Sequence, residues 1–411
     1  MRKKEFRSWL WVILWTAAIF LSIPIVRKIQ KAVSQNLGEN FFVYFVLFCV
    51  GAFFIFLIYF LSFKLKIRSA SRYLWLGVVA GLYVFFILQF HRAPAEVIHF
   101  LEYGLLGFFL FKALRYRIQD PTIYITATLL VLLVGTLDEC FQWITPQRMW
   151  DFRDVGLNVL SGALFQLGMA AVIRPPSIGT QVRLRSLRWL SAFLAASLVF
   201  LGLCASNTPR RVAWYTQYFP SLSFLLQEEP MSEFGHKIKD PEIGVFFSRL
   251  SPKTLKQKDR EKGDQYAQLL KSYARLRYKE FLKKFNPLSH PFLYEFRVHL
   301  FRRDQYFKKA RQTSNEKDRS RFFLVAYKEN LILEKYFSRT LRLSPYHWEN
   351  PRIQNIKNQT DVHKPYKSPV SSQLFTAFRE KDMWTAILIL LAFLGVGNSV
   401  LQRKFKNKKS K

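Results

Sequence analysis

Long apolar runs separated by short polar loops dominate most of this chain. A run of about 20 mainly apolar residues is long enough to cross the hydrocarbon core of a bilayer as a helix. The pattern predicts eight spans, at residues 9–26, 41–63, 73–90, 96–114, 121–142, 154–173, 189–205 and 384–401. Asp120-Pro121 is a typical helix start, and Arg174-Pro175-Pro176 is a typical stop. We therefore expect a polytopic membrane helical bundle.

Residues 206–382 interrupt this pattern because they are polar throughout. Apolar positions at helical spacing predict three amphipathic helices there, at 253–285, 291–312 and 315–343. Part of their core is expected from Phe322, Val325, Ala326, Leu333 and Phe337. The Pro-, Asn-, Lys- and Ser-rich segment 346–376 is interpreted as a linker back to the last span. The predicted fold class is all-α, a bundle of about eight spans with an α-helical basic domain inserted before the last.

The composition agrees with a membrane domain joined to a polar one. The chain has 411 residues, of which 50% are hydrophobic and 17% aromatic, yet it carries 62 Lys+Arg against 28 Asp+Glu. Its cysteines, Cys49, Cys140 and Cys204, lie in or at the ends of apolar runs, so residues 206–382 have no disulfide framework. The first apolar run has no small-residue cleavage site near its end, so we interpret it as an uncleaved helix.

The basic residues of the short loops predict the orientation. With the N-terminus in the cytoplasm, the cytoplasmic loops hold 21 Lys+Arg and the opposite short loops hold six. An excess of Lys and Arg is typical of short cytoplasmic loops. It predicts a multi-pass protein of the cell (inner) membrane with both termini cytoplasmic. Residues 206–382, with 35 Lys+Arg, 19 Asp+Glu and a net charge of +16, would be extracytoplasmic.

Polar residues break the apolar pattern at two neighbouring spans. Asp138, Glu139 and Gln142 share one arc of a helix, and Asp154 and Asn158 share an arc of the next. Ionisable groups in membrane segments are costly and usually face a protein interior or a wet cavity, which marks them as candidate functional residues. In the predicted topology they converge with Glu96 and His99 near the outer leaflet.

Each of these residue types suits one of two roles. The candidate catalytic acids and bases are His99, Glu102, Asp138 and Glu139. The candidate substrate-binding residues are Arg148, Gln142, Asp154 and Asn158, with Arg148 suited to an anionic group such as a phosphate.

The same residues also permit plainer interpretations. His99 shares a helical face with Glu96 and Tyr103 and could serve packing alone. Arg148 could satisfy Asp138 or Asp154 in a structural ion-pair network, and Asp154 sits where a helix cap is expected. Carboxylates with one histidine would suit Mg²⁺, Mn²⁺ or Ca²⁺ better than zinc. No ligand spacing singles out a metal, so none is assigned and no cofactor is identified.

The motif residues resemble the VanZ-like family of small integral membrane proteins over roughly residues 73–173. The resemblance rests on His99-Phe100, Asp138-Glu139-x-x-Gln142, Pro146-x-Arg148 and Asp154-Val155-x-x-Asn158-x-x-Gly162. Gln147 stands where the family usually has glycine, and Ala95 stands where many members carry an acid. The family's type member is linked to glycopeptide-antibiotic resistance without an agreed reaction.

The apolar pattern, together with the resemblance over residues 73–173, predicts a division of the chain. Residues 1–72 are a two-span N-terminal extension, 73–173 the VanZ-like core, 174–205 the seventh span, 206–382 the basic domain and linker, and 383–411 the last span and a basic cytoplasmic tail.

Two functions fit these observations. One is an envelope enzyme that acts on a lipid or lipid-linked anionic substrate at the outer leaflet through the polar cluster. The other is a non-enzymatic binding or assembly factor in which the cluster is structural. Arg302 to Lys309 interleave basic and aromatic residues, which is compatible with anionic lipid headgroups or envelope polymers or with a solvated face. The lipid bilayer is an expected partner, and nucleic acid is not expected because the basic domain is predicted to be external. His290, His299, His347 and His363 are expected at the surface or in the core.

Overall fold

The protein was analysed as a computed structural model, which describes residues 2–90, 94–145, 148–226, 228 and 230–409. The described residues form two compact units, one of residues 1–204 and 384–411 and one of residues 205–383.

The first unit is built from long helices. They are α1 (Arg2–Leu37), α2 (Phe41–Tyr59), α3 (Ala70–Gln89), α4 (His99–Leu114), α5 (Thr122–Ile144), α6 (Phe152–Gly168), α7 (Leu184–Ala205) and, after the second unit, α15 (Glu380–Lys409). Helices α2 and α6 continue into short π-helical turns, Phe60–Lys64 and Met169–Ile173. Among the described residues, eight helices are long and apolar enough to cross a membrane. The prediction of a multi-pass helical bundle is therefore confirmed.

Helix α4 lies at the centre of this unit. Of its apolar window 56% is buried, against 17% for α7 and 6% for α15. It contributes Phe100 to a core shared with α2, α3 and α6, and Tyr103, Leu106 and Leu110 to a core shared with α1 and α5. The Trp15 indole of α1 also donates to the Glu102 carbonyl at 2.9 Å. The N-terminal two spans thus pack into the same unit as residues 73–173.

Aspartate side chains accept backbone hydrogen bonds at the starts of α5 and α6. Asp120 accepts hydrogen bonds from the Thr122 amide at 3.1 Å and the Thr122 hydroxyl at 2.6 Å, which satisfies the first turn of α5. Its other oxygen accepts from the Arg183 amide at 3.1 Å, just before α7. The N-cap of α6 is Asp151, which accepts from the Arg153 amide at 2.7 Å. Asp154, for which we considered a capping role, lies in the first turn instead.

The second unit is mainly helical with one small hairpin. Its helices are α8 (Pro209–Tyr215), α9 (Pro252–Ser272), α10 (Tyr278–Lys284), α11 (Pro291–Gln312), α12 (Glu316–Tyr336), α13 (Ser338–Leu343) and α14 (Asn350–Asn358). Strands β1 (His236–Asp240) and β2 (Gly244–Ser248) pair antiparallel with Ile238 opposite Phe246. The predicted helix 253–285 is divided at 273–277, and the predicted helix 315–343 is divided at Phe337.

The predicted core positions of this unit are confirmed by burial. Val325, Ala326, Leu333 and Phe337 are buried, and Phe322 packs beside them while partly exposed. Helices α11 and α12 supply much of the core, together with Phe246 from β2 and Leu255 from α9.

The interpretation of residues 346–376 as a linker is wrong. The segment contains α14, and its later part pairs with β2: Val245 donates to the Tyr366 carbonyl at 2.9 Å, and the Ser368 amide donates to the Val245 carbonyl at 2.9 Å. Val370 and Leu374 are buried. Outside α14, backbone pairing and isolated buried side chains hold the segment in place, and these leave no helical or alternating pattern in its sequence.

A buried carboxylate connects several elements of the second unit. Glu329 on α12 is closed to solvent and accepts hydrogen bonds from His299 Nδ1 at 2.6 Å, Ser368 Oγ at 2.8 Å and the Tyr366 hydroxyl at 2.5 Å. Arg302 Nε lies 3.2 Å from the same carboxylate. One carboxylate therefore joins α11, α12 and the returning segment, and His299 is a core residue.

Candidate functional site

Three helix ends meet where the polar residues of the first unit lie. His99 is the first residue of α4, Asp138 and Glu139 lie in the C-terminal part of α5, and Asp154 lies in the first turn of α6. Because these consecutive helices run in alternating directions, the start of α4, the end of α5 and the start of α6 share one end of the bundle. The sequence-predicted cluster is thus brought together, and we call it the α4–α6 site.

Close packing of small residues sets the spacing of these helices. A Cβ atom added to Gly135 on α5 would lie 2.9 Å from Asn158 Cβ on α6. One added to Gly162 would lie 2.8 Å from Val131. Glycine lets the backbones approach and so brings Asn158 against α5. Gly162 belongs to the sequence motif, and this contact gives it a packing role.

The rim of the α4–α6 site is partly open. His99 Nδ1 lies 3.3 Å from Glu102 Oε2, and the two side chains are 15% and 22% exposed. Arg153 donates to Glu96 at 2.8 Å across the start of α4 and α6. Glu96 is 23% exposed and lies in the 3₁₀ turn Pro94–Ile98, so it precedes α4 and is not on its face.

The floor of the site is closed. Asp138, Glu139 and Asn158 are 2%, 0% and 0% exposed. Gln142 donates to both acids, to Asp138 Oδ2 at 3.1 Å and to Glu139 Oε1 at 2.8 Å. The other oxygen of Glu139 accepts from the Asp151 amide at 3.2 Å, which ties the end of α5 to the cap of α6. Gln142 therefore orients the carboxylates, in addition to its predicted role in substrate binding.

Several buried polar atoms of the site lack a well-formed hydrogen bond. Ten buried side-chain polar atoms in the described part of the chain lack a hydrogen bond of good geometry, and seven of them are in this cluster. They are Glu96 Oε2, Asp154 Oδ1, Asn158 Oδ1 and Nδ2, Tyr103 Oη and Asp138 Oδ1, whose side chains interact with each other, and His99 Nδ1, which has the ion-pair contact with Glu102. A buried polar atom without a partner costs about 1–3 kcal/mol. A concentration of such atoms is typical of a site that receives water or a ligand.

Two arginines lie beside the acids. Arg148, the predicted anion-binding residue, donates to the Ile23 carbonyl of α1 at 3.2 Å and lies within electrostatic reach of Asp154. Arg153 was missed by the sequence reasoning, which used it only to count loop charges. It contacts Glu96, Asp151 and Asp154 at 2.8, 3.6 and 4.0 Å. Its position one residue before Asp154 was the available signal. Pro146 and Gln147 of the predicted loop lie outside the described residues.

The charge balance of the site favours acids. Six carboxylates are present, from Glu96, Glu102, Asp138, Glu139, Asp151 and Asp154, against Arg148, Arg153 and His99. Carboxylates this close repel one another when they are ionised. The arrangement therefore places a group of acids beside two guanidinium groups at one end of the bundle.

The described residues contain no group of three or more His, Cys, Asp or Glu side chains arranged to hold a metal ion. No family model, curated protein or solved structure matches this chain.

Proposed function

We propose that this is a VanZ-like membrane protein of the cell envelope that uses the α4–α6 site for acid–base chemistry on the polar headgroup of a lipid or lipid-linked substrate. The observation that carries the proposal is the concentration, on three neighbouring spans, of seven buried polar atoms that lack a well-formed hydrogen bond. A purely structural network would pair its members, because leaving them unpaired destabilises the fold. A headgroup or its water shell supplies the missing partners.

The exposure gradient suggests a division of roles. His99 and Glu102 line the rim, where a headgroup arrives first, and Asp138 and Glu139 lie on the floor. A floor carboxylate that exchanges its proton with the substrate serves as acid or base, and Gln142 holds it in place. Arg148 and Arg153 offer the charge that an anionic headgroup requires.

The charge excess also limits the substrate. An anionic headgroup approaching the acids is repelled unless it lies against the arginines while neighbouring carboxylates are protonated. A headgroup with one anionic group and one hydroxyl or amine matches this arrangement, because the second group can donate to Asp138 or Asn158. This is why the proposal places proton transfer at the floor and charge recognition at Arg148 and Arg153.

The location follows from the loop charges. We place both termini in the cytoplasm and the second unit, residues 205–383, on the extracytoplasmic side of the cell membrane. The asymmetry of 21 against six basic residues in the short loops supports this orientation.

The second candidate function is binding of anionic lipid headgroups or envelope polymers by the second unit. A groove of about 710 Å³ is lined by Lys256, Arg260, Lys335, Arg339 and Arg342 against Asp259 and Asp264. Asp259 is occupied by the amides of Arg339 and Thr340, at 2.7 and 2.9 Å, and Asp264 pairs with Arg339. Among the described residues, no acidic side chain pairs with Lys256, Arg260 or Arg342. These three cations are therefore available to bind an anionic group.

The stretch Arg302–Lys309 supports this function less well than its sequence indicates. Arg303 is 2% exposed, donates to Asn330 at 3.0 Å and stacks on Trp348 with its guanidinium carbon 4.2 Å from the ring centre. Arg302 is held near Glu329. Only Lys308 and Lys309 of the four basic residues are exposed, so the predicted basic surface is divided between core and solvent.

The acid–base proposal is tested by conservative variants of the site. His99→Gln, Asp138→Asn and Glu139→Gln keep much of the shape and hydrogen bonding but lose proton exchange. We expect melting temperatures near wild type and failure to restore the membrane lipid and cell-wall precursor profile of a deletion strain. Glu39→Gln, at an exposed acid outside the site, is the matched control and should restore the profile.

The opposite outcome favours a structural cluster. If each site variant loses stability in step with function, the polar cluster holds the helices together, and binding by the second unit becomes the better function.

A further inference from the structure

Two cysteines of the first unit meet although they are far apart in sequence. Cys140 on α5 and Cys204 on α7 are 64 residues apart, and their Sγ atoms lie 3.8 Å from each other. Cys204 is buried and Cys140 partly buried. The third cysteine, Cys49, lies on α2. The contact therefore pairs two of the three cysteines in the chain.

The sulfur atoms need to move little to bond. A disulfide has an S–S length of about 2.0 Å, so the two atoms must approach by about 1.8 Å, which side-chain rotation alone can supply when the Cβ vectors face each other. Both residues are close to helix ends. Cys140 precedes the last residue of α5 by four positions and Cys204 precedes the last residue of α7 by one, which is about 6 Å and 1.5 Å along the helix axes. The pair thus lies near the edge of the apolar spans and not at their middle.

Helix α7 has few other anchors. Its buried residues are Ser186, Ser197, Gly202 and Cys204. Gly202 faces α15, since a Cβ atom there would lie 2.7 Å from Ile387. Cys204 is therefore the buried α7 residue that meets α5 at this end of the bundle.

We propose that Cys140 and Cys204 are a disulfide-forming site that fastens the end of α7 to the part of α5 that carries the acids. In the reaction, one thiolate attacks the disulfide of a thiol–disulfide exchange protein and forms a mixed disulfide. The second thiolate then displaces the exchange protein. The Cys140–Cys204 bond forms, two electrons pass to the exchange protein, and both protons end on its dithiol.

The bond has a consequence for the α4–α6 site. Cys140 directly follows Glu139 and lies within one helical turn of Asp138 and Gln142. A covalent link at Cys140 restrains this turn and thereby the spacing of the two carboxylates. The link closes a loop that includes α6, so it also limits the conformations of the unfolded chain. The inference does not depend on the acid–base proposal, because it concerns the bond and not the reaction of the site. Oxidation by an exchange protein in cells rests on the proposed orientation, which puts this end of the bundle on the extracytoplasmic side, whereas oxidation by copper phenanthroline does not.

The test counts free thiols in the full-length protein in its membrane. Membranes are treated with copper phenanthroline, and the reaction is quenched with acid. The protein is then unfolded in detergent and labelled with a polyethylene-glycol maleimide, which shifts its gel mobility once per free thiol. We expect three adducts for the reduced wild type and one, at Cys49, after oxidation. Mass spectrometry of the oxidised monomer should show the peptide pair that contains Cys140 and Cys204.

Single variants assign the bond. Cys140→Ser and Cys204→Ser should each keep two free thiols after oxidation, whereas Cys49→Ser, the matched control, should have two when reduced and none when oxidised. In acid-quenched cells, the oxidised form should predominate in a strain with the exchange protein and decline in one without it. Three free thiols in the oxidised wild type, or a bond that persists in Cys140→Ser, would overturn the proposal.

Discussion

Gly135 on α5 lies so close to Asn158 on α6 that a Cβ atom at residue 135 would be 2.9 Å from Asn158 Cβ and 3.1 Å from its Nδ2. The contact places a fully buried amide, with neither of its polar atoms bonded among the described residues, beside the acids of α5. The floor of the α4–α6 site therefore depends on the absence of one side chain.

Replacing Gly135 by alanine should displace Asn158 and destabilise the bundle by about 1–3 kcal/mol, the usual cost of overpacking a closed contact. Gly81→Ala is the control, because nothing lies within 4 Å of a Cβ atom there, and alanine should be neutral or stabilising in a helix by up to about 1 kcal/mol. The test compares the melting temperatures of the two purified variants with that of the wild type. Equal melting temperatures would show that α5 and α6 separate freely at this position.

The Arg153–Glu96 pair should matter to function more than to stability. Arg153 is 58% exposed, and exposed ion pairs contribute about 0–1 kcal/mol. We expect Arg153→Gln to melt within about 2 °C of wild type and to restore the lipid and precursor profile poorly, because the headgroup loses a cation.

The control for Arg153→Gln is Arg117→Gln. Arg117 is 56% exposed and paired with Glu5, away from the site. If the two variants restore the profile equally well, Arg153 has no role in binding the headgroup.

The orientation of the spans is open to labelling. We introduce Lys279→Cys or Lys408→Cys into a chain whose three cysteines are replaced by serine. Cells with a permeabilised outer membrane and an intact inner membrane are then treated with a membrane-impermeant maleimide. We expect labelling at residue 279 and none at residue 408, following the excess of cytoplasmic basic residues. Reaction at residue 408 without reaction at residue 279 would show that the topology is the inverse of the proposed one.

Charge reversal in the groove of the second unit should weaken binding to anionic surfaces. Arg260→Glu with Arg342→Glu changes two cations that have no acidic partner in the described part of the chain. Each basic residue near an anionic surface contributes about 1 kcal/mol. The full chain in neutral nanodiscs is mixed with phosphatidylglycerol vesicles at low and high salt, since screening should remove the attraction.

The comparison for this variant is Lys308→Glu with Lys309→Glu, which makes the same charge change on the exposed part of α11. A larger loss for the groove variant assigns binding to the groove. Equal losses would mean that the net charge of the unit acts without a specific site.

Glu329 should give the second unit an acid-sensitive contribution to stability. Burial by itself raises the pKa of Glu329, but the charge of His299 and hydrogen bonds from His299, Tyr366 and Ser368 outweigh it and hold the pKa below its usual range. A carboxylate with a lowered pKa stabilises the fold above its unfolded value of about 4.3, and this stabilisation is lost as the pH falls through the folded value.

Glu329→Gln leaves the partly buried Arg302 without its counter-charge and weakens three buried hydrogen bonds, so we expect a loss of about 3 kcal/mol at pH 7. The difference from wild type should narrow as the pH falls below about 4. Thermal melts at pH 7 and below pH 4 measure this difference, with the exposed acid variant Glu261→Gln as the control. A difference that stays constant with pH would mean that Glu329 is not ionised in the folded protein.

The residues show how far the sequence alone could predict this molecule. The spans were predictable because hydropathy is a local property, and Asp138, Glu139 and Asn158 stood out because they interrupt it. Arg153 did not stand out, since its role depends on Glu96, 57 residues away. The neighbours of Arg303 in the sequence predicted a basic surface, yet Arg303 is buried against Trp348 and Asn330. Paired or stacked charges can be buried, and their partners are set by tertiary contacts that no local pattern records.

The second unit begins and ends at neighbouring points of its own fold. Arg211 pairs with Glu380, and residues 233–235 hydrogen-bond to Phe375 in both directions, at 3.0 and 2.8 Å. In the first unit, the spans on either side of it are already in contact through Gly202 and Ile387. A segment whose two ends coincide can be gained or lost by a single insertion or deletion without separating the helices that flank it. A short turn that joins α7 directly to α15 should therefore leave the eight apolar helices connected in the same order.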